Sequence, residues 1–363
     1  MQIKIKTQEL NKALNDMNKF QTNAIADVFK NNHFRAKADK LTITAIYGST
    51  IIKKIIPCEA TEEGNFATNP KLLLSLIKNI DEEYVEISEA GNQIQILNGW
   101  NTTKINCINP EEYPILKIPE DEENSINIET EQLKKSIKNT TFAASQENQK
   151  FKGTELIFND NTVDIIATDT HILARTTIQT QNNQGCMRAI IPTDILNNLQ
   201  SVQIKNKTVN IGIYKNQLTI KYDDTVISTS ILMGNFPNTD IFFNRNQYIT
   251  KMKLRTSEIN KALERVQVLA GKYKILTLNI NKDEKNMFLN TKSDLGLAAE
   301  AIQIQEIEGE NLNISLNITY LVDVCKKITK DEFIIEMKTA VTPMLIHEKD
   351  SDSKYIITPM RVA

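Results

Sequence analysis

Asp169 and His171 come closer to a catalytic pair than any other residues of this sequence. They stand two positions apart in the segment ATDTHILA, so on an extended strand they would share a face and could act as acid and base. No nucleophile is signalled beside them, and the sequence contains no G-x-S-x-G, no phosphate-binding loop and no Gly-rich dinucleotide fingerprint. With 11 Gly and 3 His in 363 residues, catalytic signals are sparse. We therefore expect a non-catalytic protein; turnover that His171→Ala abolishes would revive the enzymatic alternative.

Metal and redox chemistry are not indicated by the cysteines. Cys58, Cys107, Cys186 and Cys325 lie far apart, with no C-x-x-C and no nearby His. This spacing predicts neither a zinc site nor a disulfide framework, and we expect reduced, mostly buried thiols and no cofactor.

The chain carries no signal for a membrane. No apolar run approaches the roughly 20 residues that span a bilayer. The start, MQIKIKTQEL, alternates polar and apolar residues and lacks the basic-then-apolar layout of a signal peptide. We expect a cytoplasmic protein that does not associate with membranes.

Basic residues are concentrated locally, although the net charge is -2. Residues 131–152 contain five Lys and two Glu, and residues 253–274 contain six basic residues and two Glu. Such clusters can bind the phosphate backbone of duplex DNA without reading its sequence, whereas for any single Lys a solvated helix face is an equally good interpretation.

An internal repeat organises these clusters. The segments IKIKTQEL, INIETEQL and MKLRTSEI begin at residues 3, 126 and 252, each with an alternating strand that reaches a Thr followed by an apolar stripe at helical spacing. We expect each Thr (Thr7, Thr130 and Thr256) to be an N-cap, its hydroxyl accepting a hydrogen bond from a first-turn amide. Each copy then predicts a strand, a cap and an amphipathic helix.

A second landmark returns the same period. The segments NFATNPKLLLSLIKNI, RAIIPTDILNNLQSV and NISLNITYLVDVCKKI each lead from a strand into a helix, and aligning Thr68, Pro192 and Asn317 places Leu72, Leu196 and Leu321 together. Tyr113-Pro114 and Phe236-Pro237 are likewise 123 residues apart. Short alternating runs between the helices predict antiparallel hairpins.

The repeats predict three similar α+β domains, each with two helices packed on antiparallel sheets. The acidic segment IPEDEENS, residues 118–125, is typical of a linker. The expected domains are residues 1–122, 123–248 and 249–363.

The sequence resembles the beta subunit of bacterial DNA polymerase III, the sliding clamp family. The resemblance rests on ATDTHILA (167–174), GNFPNTD (234–240), LNITYLVDVCKKI (316–328) and YIITPMRVA (355–363), in this order on a threefold repeat, and it covers essentially the whole chain. It implies the DNA clamp fold, with two chains forming a six-domain ring around duplex DNA. The implied function is that of a processivity factor that tethers the replicative polymerase. In such a ring, the candidates for DNA contact are Lys134, Lys138, Lys150, Lys152, Lys261 and Arg265, followed by Lys12, Lys71, Lys78, Lys326 and Lys327.

The resemblance also implies a pocket for partner peptides, a homodimer and a set of partners. The partners would be the DNA polymerase III alpha subunit, the clamp loader, and other polymerases and repair proteins that carry clamp-binding peptides. Thr170, Ile172 and Thr358 depart from residues frequent in the family, so peptide preference can differ. The matching pocket residues are Thr168, Thr170, His171, Leu173, Pro237, Val341, Pro343, Ile356, Ile357, Pro359, Met360 and Arg361. The implied dimer contacts are Ile105 and Cys107 from one chain and Val268 and Leu269 from the other.

A scaffold that binds proteins but never encircles DNA is an alternative of a different class. It predicts a monomer, or a dimer whose retention on DNA does not depend on closed ends. Retention on nicked circular DNA, compared with linearised DNA, distinguishes the two.

Overall fold

A computed structural model describes residues 1–20, 27–114, 116–119, 124–145, 147–148, 151–180 and 187–361. Antiparallel sheets and short helices alternate along this part of the chain. The helices are α1 (Thr7–Asn18), α2 (Pro70–Ile77), α3 (Thr130–Thr140), α4 (Thr193–Ser201), α5 (Thr256–Val268) and α6 (Ile318–Cys325). The first strands are β1 (Gln2–Lys6), β2 (Asn32–Lys37), β3 (Lys40–Tyr47), β4 (Thr50–Pro57), β5 (Glu59–Glu62), β6 (Gly64–Thr68), β7 (Tyr84–Ala90), β8 (Gln93–Asn98), β9 (Asn101–Asn106), β10 (Asn124–Glu129), β11 (Gly153–Asn159), β12 (Thr162–Thr168) and β13 (Ile172–Gln179). The remaining strands are β14 (Met187–Pro192), β15 (Thr208–Tyr214), β16 (Gln217–Tyr222), β17 (Thr225–Ser230), β18 (Thr250–Arg255), β19 (Ile275–Asn281), β20 (Asn286–Ser293), β21 (Gly296–Gln303), β22 (Glu306–Glu308), β23 (Leu312–Asn317), β24 (Glu332–Met337), β25 (Met344–His347) and β26 (Ser353–Ile357).

The chain divides into two compact units. Unit 1 comprises Met1–Lys134 and Asn182–Leu232, and unit 2 comprises Lys135–Gln181 and Met233–Ala363. Unit 1 contains one sheet in the order β5-β1-β7-β8-β9 and another in the order β10-β15-β16-β17-β4-β3-β2-β6. The second sheet explains why the unit is larger than a predicted third: strands of the first and second thirds pair directly, β17 with β4.

Unit 2 is built in the same way. One sheet contains the consecutive strands β11-β12-β13-β26-β25-β24-β18-β22, and a second has the order β21-β20-β19-β23. Helices α5 and α6 pack together over a core that includes Leu263, Leu278 and Leu321. The apolar stripe of α5 is buried because its members recur every three or four residues and so lie on one face. The predicted cut points at residues 122 and 248 stay predictions, and residue 122 lies outside the described residues.

The three Thr residues of the first landmark make the same contacts, but they are not N-caps. Each is the first residue of its helix, and the N-caps before Thr7 and Thr256 are Lys6 and Arg255. The Thr7 hydroxyl donates to the carbonyl oxygen of Glu82 (2.7 Å), and its amide donates to that of Glu83 (3.0 Å). Thr130 repeats this pair of bonds with Asn206 and Lys207, and Thr256 repeats it with Lys330 and Asp331. The capping prediction was therefore wrong, because each Thr ties its helix start to a distant loop carbonyl instead of its own first turn.

The second landmark is confirmed as strand and helix, with one shift in register. Asn69, Pro192 and Asn317 are the N-caps of α2, α4 and α6, and the Asn69 side chain accepts hydrogen bonds from the amides of the first turn. The buried residue at the aligned position in α2 is therefore Leu73, whereas Leu72 is 46% exposed. The alignment made from the sequence slipped by one residue there.

Candidate functional site: an apolar pocket, basic helices and two sheet edges

A cavity of about 200 Å³ lies in unit 2 beside the turn between β12 and β13. Six of the predicted pocket residues line it: Thr168, Thr170, His171, Leu173, Pro237 and Ile356. Its apolar walls and few polar groups are typical of a pocket for a short peptide side chain. The lining residues are Phe151, Thr168, Thr170, His171, Ile172, Leu173, Pro237, Thr239, Phe242, Ile356 and Thr358.

The remaining predicted pocket residues do not line this cavity. Ile357 belongs to the buried core, because successive strand residues face opposite sides and its neighbour Ile356 faces the cavity. Val341 is 68% exposed and Arg361 is exposed. Pro343, Pro359 and Met360 are likewise outside the lining. Phe151, Thr239 and Phe242 were missed by the sequence reasoning, since nothing in their local pattern separates them from ordinary loop residues.

Asp169 acts as a turn-forming acceptor. Its Oδ1 accepts hydrogen bonds from the backbone amides of His171 and Ile172, both at 2.8 Å. The His171 ring stacks instead on Tyr320, with the ring centroids 6.2 Å apart. Burial and the Asp169 carboxylate raise the pKa of Tyr320. The arrangement uses Asp169 to shape the turn that presents His171 at the cavity.

Thr170 occupies the tightest position of this turn. Its φ is +85°, in the left-handed region that β-branched residues rarely adopt. The Thr168 hydroxyl accepts a hydrogen bond from the Thr170 amide (3.0 Å) and donates one to the carbonyl oxygen of Ile172 (2.7 Å). These two hydrogen bonds stabilise the turn. Thr170, one of the departures noted from the sequence, thus occupies a position whose backbone favours glycine.

Ion pairs hold the wall that carries Thr239 and Phe242. Arg175 of β13 bonds Asp164 at 2.6 Å and Asp240 at 2.8 Å, and its guanidinium lies over the Phe243 ring at 5.3 Å. Burial opposes the charged form of Arg175, but the hydrogen bonds from the guanidinium to Asp164 raise its pKa overall. These contacts fix the 3-10 helix Asp240–Phe243 against the sheet.

A second ionic cluster lies behind the same wall. Glu336 of β24 is fully buried, and its Oε1 accepts hydrogen bonds from Arg245 Nε (2.7 Å) and His347 Nε2 (2.9 Å). Burial alone would raise the pKa of Glu336, but these two partners lower it overall. The Tyr248 hydroxyl donates to the Phe242 carbonyl oxygen at 2.6 Å, which links the segment 242–248 to the wall.

The carboxy-terminal segment is attached to the pocket through backbone hydrogen bonds. The Thr358 amide donates to the His171 carbonyl oxygen (2.9 Å), and the Met360 amide donates to that of Ser315 (2.7 Å). Residues 358–360 therefore run from the pocket rim toward β23, so their removal would change the rim without touching the sheets.

The candidate DNA-contacting residues differ in how free their charges are. Lys138, Lys261, Lys71, Lys78 and Lys326 are exposed, whereas Lys12, Lys134, Lys152 and Lys327 are partly buried. Lys150 lies outside the described residues.

Three of these charges are already engaged. Lys134 Nζ donates to the Val202 carbonyl oxygen at 2.6 Å. Arg265 makes a two-pronged contact with Glu300, at 2.8 and 2.6 Å. The Lys327 ammonium lies 4.9 Å from the centre of the Phe142 ring, and burial followed by repulsion from Lys138 lowers its pKa. Lys138 of α3 and Lys327, which follows α6, are therefore two basic residues that lie near each other.

The predicted dimer residues lie near two strand edges. Val268 is 71% exposed at the end of α5, and Leu269 contacts the region of Gly296 at the start of β21. Ile105 is buried on β9, and Cys107 follows it. β21 and β9 are edge strands of their sheets, and such edges present unpaired backbone groups to a partner strand. Leu295 and Leu297 of the β20–β21 hairpin are also exposed, at 68% and 67%, and were missed.

Neither a metal cluster nor a membrane-spanning helix is found in the described ranges. No group of three or more His, Cys, Asp or Glu is placed to hold a metal ion there. None of the helices described is long and apolar enough to cross a membrane.

Comparison with known proteins places this architecture in a class. The structure superposes on a DNA polymerase sliding clamp from Bacillus subtilis with a TM-score of 0.94 over 100% of both chains, at 24% identity. A DNA polymerase III beta chain from Streptococcus pneumoniae gives a TM-score of 0.93 at 22% identity, covering 99% of this chain and 100% of that one. The fold is therefore that of the sliding clamps.

Family models identify the chain more closely. Models for the N-terminal, central and C-terminal domains of the DNA polymerase III beta subunit match residues 1–117, 127–238 and 245–361. A beta sliding clamp from Staphylococcus epidermidis is 26% identical over 343 residues, covering 90% of each chain. This chain belongs to the DNA polymerase III beta subunit family. The family, the clamp fold with three similar domains and the sliding-clamp function predicted from the sequence are confirmed.

Proposed function

We propose that two copies of this chain join head to tail through the edges of β9 and β21 to close a non-catalytic ring around duplex DNA. The observation that carries the proposal is the triple recurrence of a strand and helix start tied by the same pair of Thr hydrogen bonds, at Thr7, Thr130 and Thr256. Three equivalent domains per chain supply six helices, and a dimer supplies twelve.

Helix dimensions support the dimer. Six helices, each about 10 Å wide, would make a circle of about 60 Å and leave a hole of about 9 Å. Twelve helices would make a circle of about 120 Å and leave a hole of about 28 Å. A duplex about 20 Å across needs the larger hole, so one chain is too small and two chains suffice.

The exposed apolar residues at one edge support the proposed contact. Val268, Leu295 and Leu297 are each about two-thirds exposed, and burying such residues against β9 of the partner would remove apolar surface from water. We expect Val268→Asp with Leu297→Asp to convert the dimer to a monomer, measured by size exclusion with light scattering. Met233→Asp is the control, since Met233 is 93% exposed and belongs to neither β9 nor β21. A double variant that stays dimeric would remove these residues from the interface.

Exposed lysines on the helices would hold the DNA without reading it. Contacts from mobile Lys side chains to phosphates lower the free energy equally at every position along the DNA, so they permit sliding. We expect Lys138→Glu to weaken DNA association and to reduce its salt dependence by about one counterion. Lys134→Glu should have a smaller effect, because the Lys134 ammonium is already bonded to Val202. Equal salt slopes for wild type and Lys138→Glu would exclude Lys138 from the hole.

Topology distinguishes a ring from a scaffold. After loading, wild-type protein should remain on nicked circular DNA and leave the same DNA once it is linearised. Equal retention on both forms would contradict encirclement and favour the scaffold.

The pocket beside His171 would bind the clamp-binding peptides of the DNA polymerase III alpha subunit, the clamp loader, and other polymerases and repair proteins. Its apolar lining and the His171 and Thr side chains at its rim support this assignment. We expect deletion of Pro359 to Ala363 to abolish polymerase stimulation while leaving the dimer intact. Unchanged affinity for a labelled peptide from the alpha subunit, in a fluorescence titration, would show that the tail is not part of the site.

A non-catalytic role is supported by the use of Asp169 in its turn. His171→Ala should leave no enzymatic activity to lose and should reduce only peptide affinity. Any turnover that disappears with this substitution would contradict the proposal.

A further inference from the structure

A second, larger groove lies on a sheet face of unit 1 and shares no lining residue with the pocket beside His171. Its volume is about 1070 Å³, and it is floored by β2, β3, β4, β16 and β17. The residues Pro114, Leu116, Lys117, Ile118 and Pro119 form one side. None of the candidate DNA-contacting residues and none of the residues that line the peptide pocket lines this groove.

The register of the sheet aligns the floor residues in one row. His33 pairs with Thr44, Thr44 with Lys53, Lys53 with Val226, and Val226 with Lys221. Paired residues of neighbouring strands face the same side, so this row crosses five strands on one face. Four gaps of about 4.8 Å make the row roughly 19 Å long, which an extended segment of about six residues spans.

The groove is lined by five Lys and Arg side chains. Arg35 and Lys37 extend the row along β2, since alternate residues of a strand share a face. Arg35, Lys37, Lys53 and Lys117 have no carboxylate within 4.0 Å among the described residues, and no lining residue is acidic. The whole chain has 45 acidic residues against 43 basic ones, so a surface of this size without a carboxylate departs from its average composition. Concentrated positive charge of this kind attracts an anionic ligand.

The aliphatic part of the groove favours a peptide over a nucleic acid. Leu116 is 48% exposed, and Ile118 and the two prolines continue the same apolar side. Single-stranded nucleic acid is held by exposed aromatic faces. Tyr113 is only 3% exposed and its ring stacks on His33 at 5.7 Å, and the partly buried Tyr214 ring already lies under the Lys215 ammonium at 5.1 Å. His33 adds no charge at neutral pH, because burial and the nearby Arg35 lower its pKa.

We propose that this groove binds an acidic, partly apolar peptide segment of a partner protein, with its carboxylates on Arg35, Lys37, Lys53 and Lys117 and its apolar side chains against Leu116 and Ile118. The site is separate from the pocket beside His171, so one chain can hold two different segments. Electrostatic attraction would dominate recognition, and the aliphatic side would select against purely polar polyanions.

A fluorescence-polarisation titration tests the proposal on the full-length dimer. The probe is the labelled peptide EELDEFLEE, with the neutral analogue QQLNQFLNQ and labelled oligo-dT as comparisons. The test variant is Arg35→Glu with Lys53→Glu. The matched control is Lys205→Glu with Lys207→Glu, two exposed residues of the same unit that are outside the groove lining.

The acidic run 120–123 lies outside the described residues and follows Pro119 directly in the sequence. The titration is therefore repeated on a variant carrying Glu120→Gln, Asp121→Asn, Glu122→Gln and Glu123→Gln. Competition from these acids is absent in that variant.

We expect the acidic peptide to bind at low ionic strength and its Kd to rise at least tenfold in Arg35→Glu with Lys53→Glu, with no change in the control. The neutral analogue should bind at least tenfold more weakly than the acidic peptide. Absence of peptide binding by both wild type and the variant neutralised at 120–123 would overturn the proposal. So would equal binding by the test and control variants, and so would tighter binding of oligo-dT that the test variant abolishes.

Discussion

The pocket beside His171 and the basic groove lie at equivalent positions of the internal repeat. Pro237 lines the pocket and Pro114 lines the groove, and these two prolines are one repeat, 123 residues, apart. Each site lies against a sheet beside the segment that follows its Phe-Pro or Tyr-Pro pair. The pocket is small and apolar, whereas the groove is wide and basic. The repeat therefore determines where a site forms, and the side chains at the repeated positions determine what it can bind.

The walls of the two sites are stabilised by different interactions. The pocket wall is tied down by Arg175–Asp240 and by Arg245–Glu336. The groove wall is held by apolar packing of Tyr113 and Ile118 with Ile46 and Ile51. Ionic contacts depend on pH and are lost when one partner is neutralised, whereas apolar packing is insensitive to pH over the same range. The pocket wall should thus be more pH-sensitive than the groove wall.

The largest effect is expected at the buried carboxylate behind the pocket wall. Glu336→Gln should lower the free energy of unfolding by about 2–3 kcal/mol at pH 7, because the Gln oxygen can still accept from Arg245 and His347 but lacks the negative charge that strengthens these hydrogen bonds. The folded-state pKa of Glu336 is lowered, so its stabilisation is complete above the ordinary value of 4.5 and is lost as pH falls through the lowered value. Urea unfolding at pH 7 and near pH 4 measures both effects.

Glu336→Gln should also affect peptide binding at the two sites differently. Peptide affinity at the pocket should fall, while EELDEFLEE binding at the groove should be unchanged. The same acid sensitivity in wild type and Glu336→Gln would show that this carboxylate does not govern the pH response.

An intermediate effect, on peptide affinity, is expected from Phe242 in the pocket wall. Phe242→Ala removes an apolar side chain from the pocket lining and should weaken binding of the alpha-subunit peptide about tenfold, or about 1.4 kcal/mol. Leu116→Ala is the matched truncation in the groove and should leave that affinity unchanged. Fluorescence titrations of both variants with both peptides measure the comparison, and a loss of pocket affinity in Leu116→Ala would show that the sites are coupled.

The smallest effect concerns the turns beside the two sites. The turn between β12 and β13 has Thr170 at φ +85°, whereas the turn between β3 and β4 has Gly48 at φ +59°. Thr170→Gly should raise the free energy of unfolding by about 1 kcal/mol, because relief of backbone strain exceeds the added flexibility of glycine. Gly48→Ala should lower it by about 1 kcal/mol, although open space surrounds the added Cβ. Thermal unfolding of both variants checks the pair; a destabilised Thr170→Gly would mean that the Thr side chain compensates for its strain.

Local patterns in the sequence were sufficient to predict the repeating elements. Alternation and helical spacing act over a few residues, so the three strand and helix starts at Thr7, Thr130 and Thr256 were predicted correctly. The hydrogen-bond partners of these Thr residues were not, because Glu82, Asn206 and Lys330 lie 74 to 76 residues further along the chain. The one-residue slip at Leu72 has a similar origin, since the strand and turn before α2 decide which residue begins the helix.

The sequence by itself determined the threefold period, the class of fold and the short segments that border the pocket, because each is encoded in neighbouring residues. Only the tertiary structure decided which side chains meet. It directed Ile356 to the cavity and Ile357 to the core, engaged Lys134 and Arg265 with their own chain, and assembled Arg35, Lys53 and Lys117 from separate segments into one basic groove. Strand register and long-range packing determine these contacts, and both depend on residues that are far apart in the sequence.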